Sequence, residues 1–255
     1  QVVTTTPRAV PLLKALISDV SVSMTHMWTC ENATNLANGF IETINQRYAG
    51  TRLGRQELDG ELIEERAGAL WSRERIEQCF EVQAPELIRI LVAIDPPASS
   101  GKSSDACGIV VAGIDENGFA HVLADETMNM AKPHQWARRA IALYHSFEAD
   151  AVLAEVNQGG EMVAAVLAAE DATVPVLMRR ASRGKWLRAE PVAALYEQGR
   201  VRHTGRFAAL EDEMCDFAPE GLSNGRSPDR LDALVWALTE LMLGGERKPR
   251  IRRFG

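Results

Sequence analysis

Ile88-Arg89-Ile90-Leu91-Val92-Ala93-Ile94-Asp95-Pro96-Pro97 is almost continuously apolar from Ile88 to Ile94, then stops at an acid followed by two prolines. A strand of that composition is buried on both faces, as in the middle of a sheet covered by helices above and below. Downstream, Cys107 to Ile114 and Phe119 to Leu123 read as two further strands, separated by the hairpin-type turn Asp115-Glu116-Asn117-Gly118. These three strands form an antiparallel meander. A helix from Pro133 to Phe147 follows, carrying Trp136, Ala140, Ile141 and Tyr144. The apolar run Ala151 to Ala154 comes directly after it and is best placed as a parallel strand reached by a crossover. Helix Glu161 to Ala169, strand Val174 to Met178, helix Leu187 to Gln198 and a last helix from Pro228 to Leu243 complete the pattern.

A meander followed by alternating helices and strands is the order of a ribonuclease H-like α/β fold. The expected architecture is a mixed sheet, antiparallel meander then parallel strands, flanked by helices and occupying residues 85–255. Residues 1–84 have another texture. Val2-Val3-Thr4-Thr5-Thr6 reads as a strand ending at Pro7, and Pro11 opens a helix with Leu12, Leu13, Leu16 and Ile17 on one side. Val20, Val22 and Met24 alternate as a strand, Asn35 to Tyr48 reads as a helix, and Gly50 to Gly60 is a charged loop. This segment is expected to be the tail of another α/β domain.

The chain has 255 residues, an ordinary globular composition and a net charge of -7. No apolar run approaches the roughly 18 residues needed to span a bilayer. The start at Gln1-Val2-Val3-Thr4 lacks the features of a signal peptide, so the chain is expected to begin inside a longer protein. Cys30, Cys79, Cys107 and Cys215 are scattered without metal or disulfide spacing, which points to reduced thiols in a cytoplasmic setting. His26, His121, His134, His145 and His203 form no ligand spacing either. The acidic balance hides two basic runs: Arg179, Arg180, Arg183, Lys185 and Arg188, and then Arg247, Lys248, Arg250, Arg252 and Arg253. Taken alone, each run is a solvated charged face.

Three acids stand where a purely structural role is hard to supply. Asp95 ends the first central strand, and Glu155 ends the run Ala151-Val152-Leu153-Ala154. Carboxylates at the ends of neighbouring central strands share one edge of the sheet, where open α/β sheets place ligands. The third acid comes from Ser227-Pro228-Asp229-Arg230-Leu231-Asp232, with Ser227 as the expected N-cap and Pro228 as the first helical residue. Helical phase puts Asp232 at the edge of the apolar stripe and turns Asp229 roughly 60° further toward solvent. Each acid alone would pass as a turn or cap residue; the constellation does not. Clustered carboxylates repel unless cations lie between them, and hard divalent ions prefer oxygen ligands. The expected site is therefore Asp95, Glu155 and Asp232, with Asp229 as a further ligand, holding two Mg²⁺ or Mn²⁺ ions for phosphodiester hydrolysis.

Gly101-Lys102-Ser103 imitates the end of a phosphate-binding loop. The first glycine such a loop requires would fall at Pro96, and a strand follows where a helix should begin. ATP hydrolysis is therefore not expected from this chain. Lys102, beside Asp95, is left available to DNA phosphates, together with Arg183, Lys185 and Arg188.

These residues resemble those of the large terminase subunit of tailed double-stranded DNA bacteriophages. Val3-Thr4-Thr5-Thr6-Pro7 is similar to that family's ATPase coupling motif. Gly50-Thr51-Arg52-Leu53-Gly54-Arg55-Gln56-Glu57-Leu58 and Gly68-Ala69-Leu70-Trp71 are similar to the stretch closing its ATPase region. Asp95-Pro96, Glu155-Val156-Asn157-Gln158-Gly159-Gly160 and Asp229-Arg230-Leu231-Asp232-Ala233-Leu234 resemble its three acidic nuclease motifs. The resemblance implies that residues 1–84 are the C-terminal remnant of an ATPase domain and its linker. It also implies a nuclease that cuts concatemeric double-stranded DNA during genome packaging in the cytoplasm of a bacterial host, with the small terminase subunit and portal as partners and no membrane. The Walker loop and its paired acids do not precede Thr4 in this sequence, so only the cutting activity carries over. Asp105 opens the second strand at a position that family often fills with an acid, a weaker candidate. Other readings of the same acids are a junction resolvase or related ribonuclease H-like nuclease, or a non-catalytic packaging scaffold.

Overall fold

The structure, a computed structural model, describes residues 2–5, 10–37, 39–48, 54, 56, 58–60, 62, 66–97, 106–156 and 160–244. The chain divides into two compact units, Gln1–Ala67 and Gly68–Gly255. No helix of the described residues is long and apolar enough to cross a membrane.

The described part of the first unit is helical. Helix α1 (Pro11–Ser18) starts on a proline, a 3-10 turn runs over Thr29–Asn35, and α2 spans Phe40–Tyr48. The strands expected at Val2–Thr6 and Val20–Met24 are absent among the described residues of this unit. Val2 and Val20 lie exposed, and a strand without a neighbour leaves its backbone groups unpaired. The helix expected from Asn35 is split, because Gly39 adopts φ 79°, a left-handed turn that resets the chain before Phe40.

The second unit begins earlier than the change of pattern at Pro85 suggests. Helix α3 (Arg73–Gln78) is fastened to it by side chains: Arg73 donates to Glu211 at 3.0 Å and also pairs with Asp212, while Arg75 donates to the Tyr196 carbonyl at 2.6 Å. Trp71 and Ile76 enter the same core. What changes at Pro85 is the start of a strand, not of a compact unit.

The sheet comprises β1 (Leu87–Asp95), β2 (Gly108–Asp115), β3 (Ala120–Asp125), β4 (Ala151–Glu155), β5 (Val176–Arg179) and β6 (Val201–His203), in the spatial order β5-β4-β1-β2-β3-β6. Strands β1, β2 and β3 pair antiparallel, while β4 joins β1 and β5 joins β4 in parallel. That is the mixed ribonuclease H-like sheet read from the sequence. The additional β6 pairs in parallel with β3. Its three residues are too few to show a periodicity, and helix Ala208–Asp216 was likewise not expected from the sequence.

Helices α4 (Pro133–Ser146) and α5 (Gly160–Glu170) cover one face; α6 (Lys185–Glu197), α7 (Ala208–Asp216) and α8 (Asp229–Leu238) cover the other, with α3. Side chains alternate along β1 accordingly. Ile90, Val92 and Ile94 join the α4–α5 core, whereas Leu91 and Ala93 join the α8 core. Strand β4 repeats this, with Leu153 toward α8 and Val152 and Ala154 away. The alternation decides where the terminal acids go: Asp95 and Glu155 continue the series that faces α8.

His203 sits fully within the α8-side core, its Nε2 2.7 Å from the Tyr196 hydroxyl. Burial, with Arg206 adding to it, pushes its pKa down to about 3. In the unfolded chain the imidazole takes up a proton near pH 6.5, so stability is complete above that pH and declines as pH falls toward 3. The full decline is worth on the order of 5 kcal/mol. Urea denaturation at pH 7 and pH 4.5 should show a fall for the parent that is distinctly shallower for His203→Gln; equal slopes would contradict a neutral buried imidazole.

Candidate active site

The first two acids are brought together by register. Ile94 of β1 lies opposite Ala154 of β4, and the next residues along the parallel pair are Asp95 and Glu155. Glu155 is buried, whereas Asp95 is half-buried at the strand end.

The third element, α8, packs on β2 and β1, and its approach depends on Gly108. A Cβ at that position would lie 1.9 Å from the Asp229 carbonyl oxygen, inside any allowed contact. The helix begins at Asp229 with Pro228 as N-cap, and Ser227 does not supply the expected side-chain cap. Instead, Glu213 of α7 accepts from the backbone N–H groups of Arg230 (3.1 Å) and Leu231 (3.2 Å). Two of the helix's open N–H donors are thus satisfied by a neighbouring helix. Arg230 completes the clamp, donating to Asp125 at the end of β3 at 2.7 Å. At the other end the helix runs into a π turn, Thr239–Leu243, where Glu240 takes both Arg179 (3.0 and 3.1 Å) and Arg89 (3.1 Å).

Held at both ends, α8 presents Asp232 and Asp229 toward the strand ends. Asp232 is 2% exposed and Asp229 only 6%, so the expectation that Asp229 turns toward solvent is not met. The close seating over Gly108 encloses the whole first turn, which a calculation of phase on an isolated helix cannot include.

Two cations of α6 enter the same space. The Lys185 ammonium pairs with Asp232 Oδ2 and donates to Ser227 Oγ at 2.7 Å. Asp232 Oδ2 is fully enclosed and faces that ammonium. Arg188 spans two acids, its Nη1 3.4 Å from Glu155 Oε2 and its Nη2 3.4 Å from Asp232 Oδ1. The guanidinium lies 4.7 Å from the centre of the Trp236 ring, and the Trp236 indole N–H donates to Glu155 Oε2.

The electrostatics follow. Burial, then Asp232, Glu155 and Asp229, hold the Asp95 carboxyl well above the ordinary carboxylate range, against the pull of Lys185. Burial also raises Asp232, although Lys185 and Arg188 oppose it. Burial disfavours the Lys185 ammonium, but Asp232, Asp95 and Asp229 outweigh it and raise its pKa. Four carboxyl groups among the described residues thus converge on Lys185 and Arg188 in a poorly solvated place. Among the described residues, no three His, Cys, Asp or Glu side chains already surround a common point that could hold an ion.

Of the residues expected to meet DNA, Lys185 and Arg188 turn inward to the acids, with the Arg188 side chain only 11% exposed, while Arg183 is exposed. Lys102, Asp105, Asn157 and the basic run 247–253 lie outside the described residues. Trp236, Glu213 and Arg230 were missed by sequence reasoning. Trp236 did carry a signal: it stands four residues after Asp232, on the same flank of the helix.

Residues 92–241, more than half of the chain, match the family model of the terminase RNaseH-like domain. The chain belongs to the large terminase family. Residues 1–78 match a second model, the N-terminal part of the T4likevirus-type terminase large subunit. Among solved structures, the large terminase of a thermophilic bacteriophage in complex with ADP gives a TM-score of 0.56 at 11% identity, over 85% of this chain. This terminase chain spans only 55% of that protein's length. The nuclease domain of the large terminase subunit gp2 of bacterial virus Sf6 gives a TM-score of 0.50 at 14% identity, over 67% of this chain and 98% of its own. At such identities the likeness establishes the ribonuclease H-like fold. A comparison with curated proteins gave no match.

Proposed function

We propose that the second unit of this terminase chain is a divalent-metal-dependent endonuclease that hydrolyses double-stranded DNA, the cutting step of viral genome packaging. The observation that carries this reading is the convergence of Asp95, Glu155, Asp229 and Asp232 on one face of the sheet. An all-oxygen donor set of carboxylates fits hard divalent ions such as Mg²⁺ or Mn²⁺. Asp95, Glu155 and Asp232 would hold them, with Asp229 as a further ligand, and two ions are expected. A structure of a mutant gp2c of the large terminase subunit from bacteriophage Sf6 with calcium, at a TM-score of 0.50, is in keeping with this choice. When bound, such ions supply the Lewis acidity that lets water attack a phosphodiester and its ester oxygen depart.

The chain's own residues do the rest. The clamps at both ends of α8 fix its acids against the strand ends, and Arg188 bridges Glu155 and Asp232. Lys185, whose side chain is 41% exposed, is placed to exchange its carboxylate for a DNA phosphate. Residues 1–84 would be the C-terminal remnant of the ATPase domain and its linker, the linker part from Gly68 onward lying in the second compact unit; ATP hydrolysis is not expected from this chain. The whole protein would work in the host cytoplasm with the small terminase subunit and portal.

Conversion of supercoiled plasmid to nicked and linear forms in Mg²⁺ or Mn²⁺, lost on chelation, is the test. Asp232→Asn should eliminate cutting while Asp229→Asn reduces it, since Asp232 is the acid that shares Arg188 with Glu155. A folded protein that never nicks in either metal would favour the scaffold reading.

Exposure separates the basic residues into two groups. Arg183→Ala should lower the slope of log affinity against log salt for duplex DNA by about 0.9, one phosphate contact. Arg188→Ala should leave that slope nearly unchanged, because its guanidinium is turned to the acids. Binding titrations across a salt series decide between this and a uniformly basic DNA-binding face, for which both variants would lower it equally.

A further inference from the structure

We infer that Trp236, backed by Arg188, is a positioning residue that fixes the rotation of the Glu155 carboxylate. The inference rests on the reading of Glu155 as a metal ligand and adds the device that orients it. The Trp236 indole N–H and Arg188 Nη1 converge on the same oxygen, Glu155 Oε2. Indole offers a donor and no acceptor, so Trp236 can orient a ligand without being one. Glu155 needs orienting. It ends its strand with a longer and freer side chain than the aspartates, and ligation tolerates only about 0.2 Å of error.

The stack restrains the indole in turn. With the Arg188 guanidinium 4.7 Å from its ring centroid and the residue only 8% exposed, Trp236 has little room to swing. A flat cation over an aromatic face is also attracted to it. Trp236 and Asp232 occupy one flank of α8, so a single helix both contributes one acid and aims another from a neighbouring strand. Outer-shell donors of this kind typically change metal affinity about 10–100-fold when removed. The competing account is that a buried indole simply needs an acceptor and Glu155 happens to provide it.

Calorimetric titration of the full chain with Ca²⁺ separates these accounts, using the parent, Trp236→Phe, Glu155→Gln and the double variant, with circular dichroism to confirm folding. Trp236→Phe should weaken Ca²⁺ binding about 10–100-fold, and in the Glu155→Gln background it should have no further effect. A folded Trp236→Phe protein with parental affinity, or an equal loss in both backgrounds, would overturn the inference. A parent that binds no Ca²⁺ would instead overturn the metal-ligand reading beneath it. The parent alone supplies a second measurement should the variant not fold. On ¹⁵N-indole spectra, Mg²⁺ should shift the Trp236 N–H more than those of Trp71 and Trp136; equal or absent shifts contradict the assignment.

Discussion

Asp95→Asn is expected to abolish DNA cleavage and, at the same time, to raise the melting temperature of the metal-free protein. The two effects share one cause. The Asp95 carboxyl is held well above its ordinary range first by burial and then by Asp232, Glu155 and Asp229, so its ionised form opposes folding at neutral pH. Such a group is tolerated where function needs it, and replacing it relieves the fold while removing the activity. The sign follows from linkage: a carboxyl whose folded pKa is raised subtracts stability once pH exceeds its unfolded value, near 3.9. Asparagine keeps the shape and removes the charge. Cleavage should fall by about a thousandfold or more, corresponding to about 4 kcal/mol of barrier, with Glu155→Ala behaving alike in activity. Thermal melts in chelator alongside a plasmid assay check both halves. A folded Asp95→Asn protein that cuts at the parental rate would remove Asp95 from the site.

Gly108→Ala should be the most damaging single methyl group in the nuclease unit. The added Cβ would stand 1.9 Å from the Asp229 carbonyl oxygen and 2.7 Å from its carbon, both backbone atoms that no rotamer change can move. Either α8 lifts from β2 or the strand end distorts. Overpacking of this kind costs about 1–3 kcal/mol or more. A 1 Å shift of the helix start displaces Asp229 and Asp232 from the strand-end acids, enough to cost roughly 100-fold in rate. The expected pattern is therefore loss of both stability and cutting, in contrast to Asp95→Asn, where they move in opposite directions. Ala233, whose Cβ lies 3.1 Å from the same built position, offers a partial rescue: Gly108→Ala with Ala233→Gly should regain less than half of the lost stability, because the backbone clash remains. Parental melting and activity in Gly108→Ala would mean that α8 is not seated on β2 as described.

The frame of the nuclease unit could be read from the sequence because its elements are set by local patterns. The apolar run ending at Asp95, the Asp115–Gly118 turn and the stripe of α8 each carry their own period, and the observed β1, β2 and α8 follow them. The acids could be read for the same reason, since each ends or opens such an element. What escaped was decided by partners distant in sequence. The cap of α8 comes from Glu213, not Ser227, because α7 happens to present a carboxylate there. The burial of Asp229 depends on a glycine in β2, and the inward turn of Arg188 on acids from two other elements. The strands expected near Val2 and Val20 failed in the opposite direction: β-branched patterning was present, but no neighbouring strand lies among the described residues of that unit.

Soaking crystals of this chain in Mn²⁺ and recording anomalous diffraction would test the central claim most directly. Anomalous peaks are expected among the carboxylates of Asp95, Glu155 and Asp232, with Lys185 drawn away from Asp232. Mn²⁺ density elsewhere in the molecule and none between these three acids, with Lys185 and Arg188 still paired to them, would contradict it.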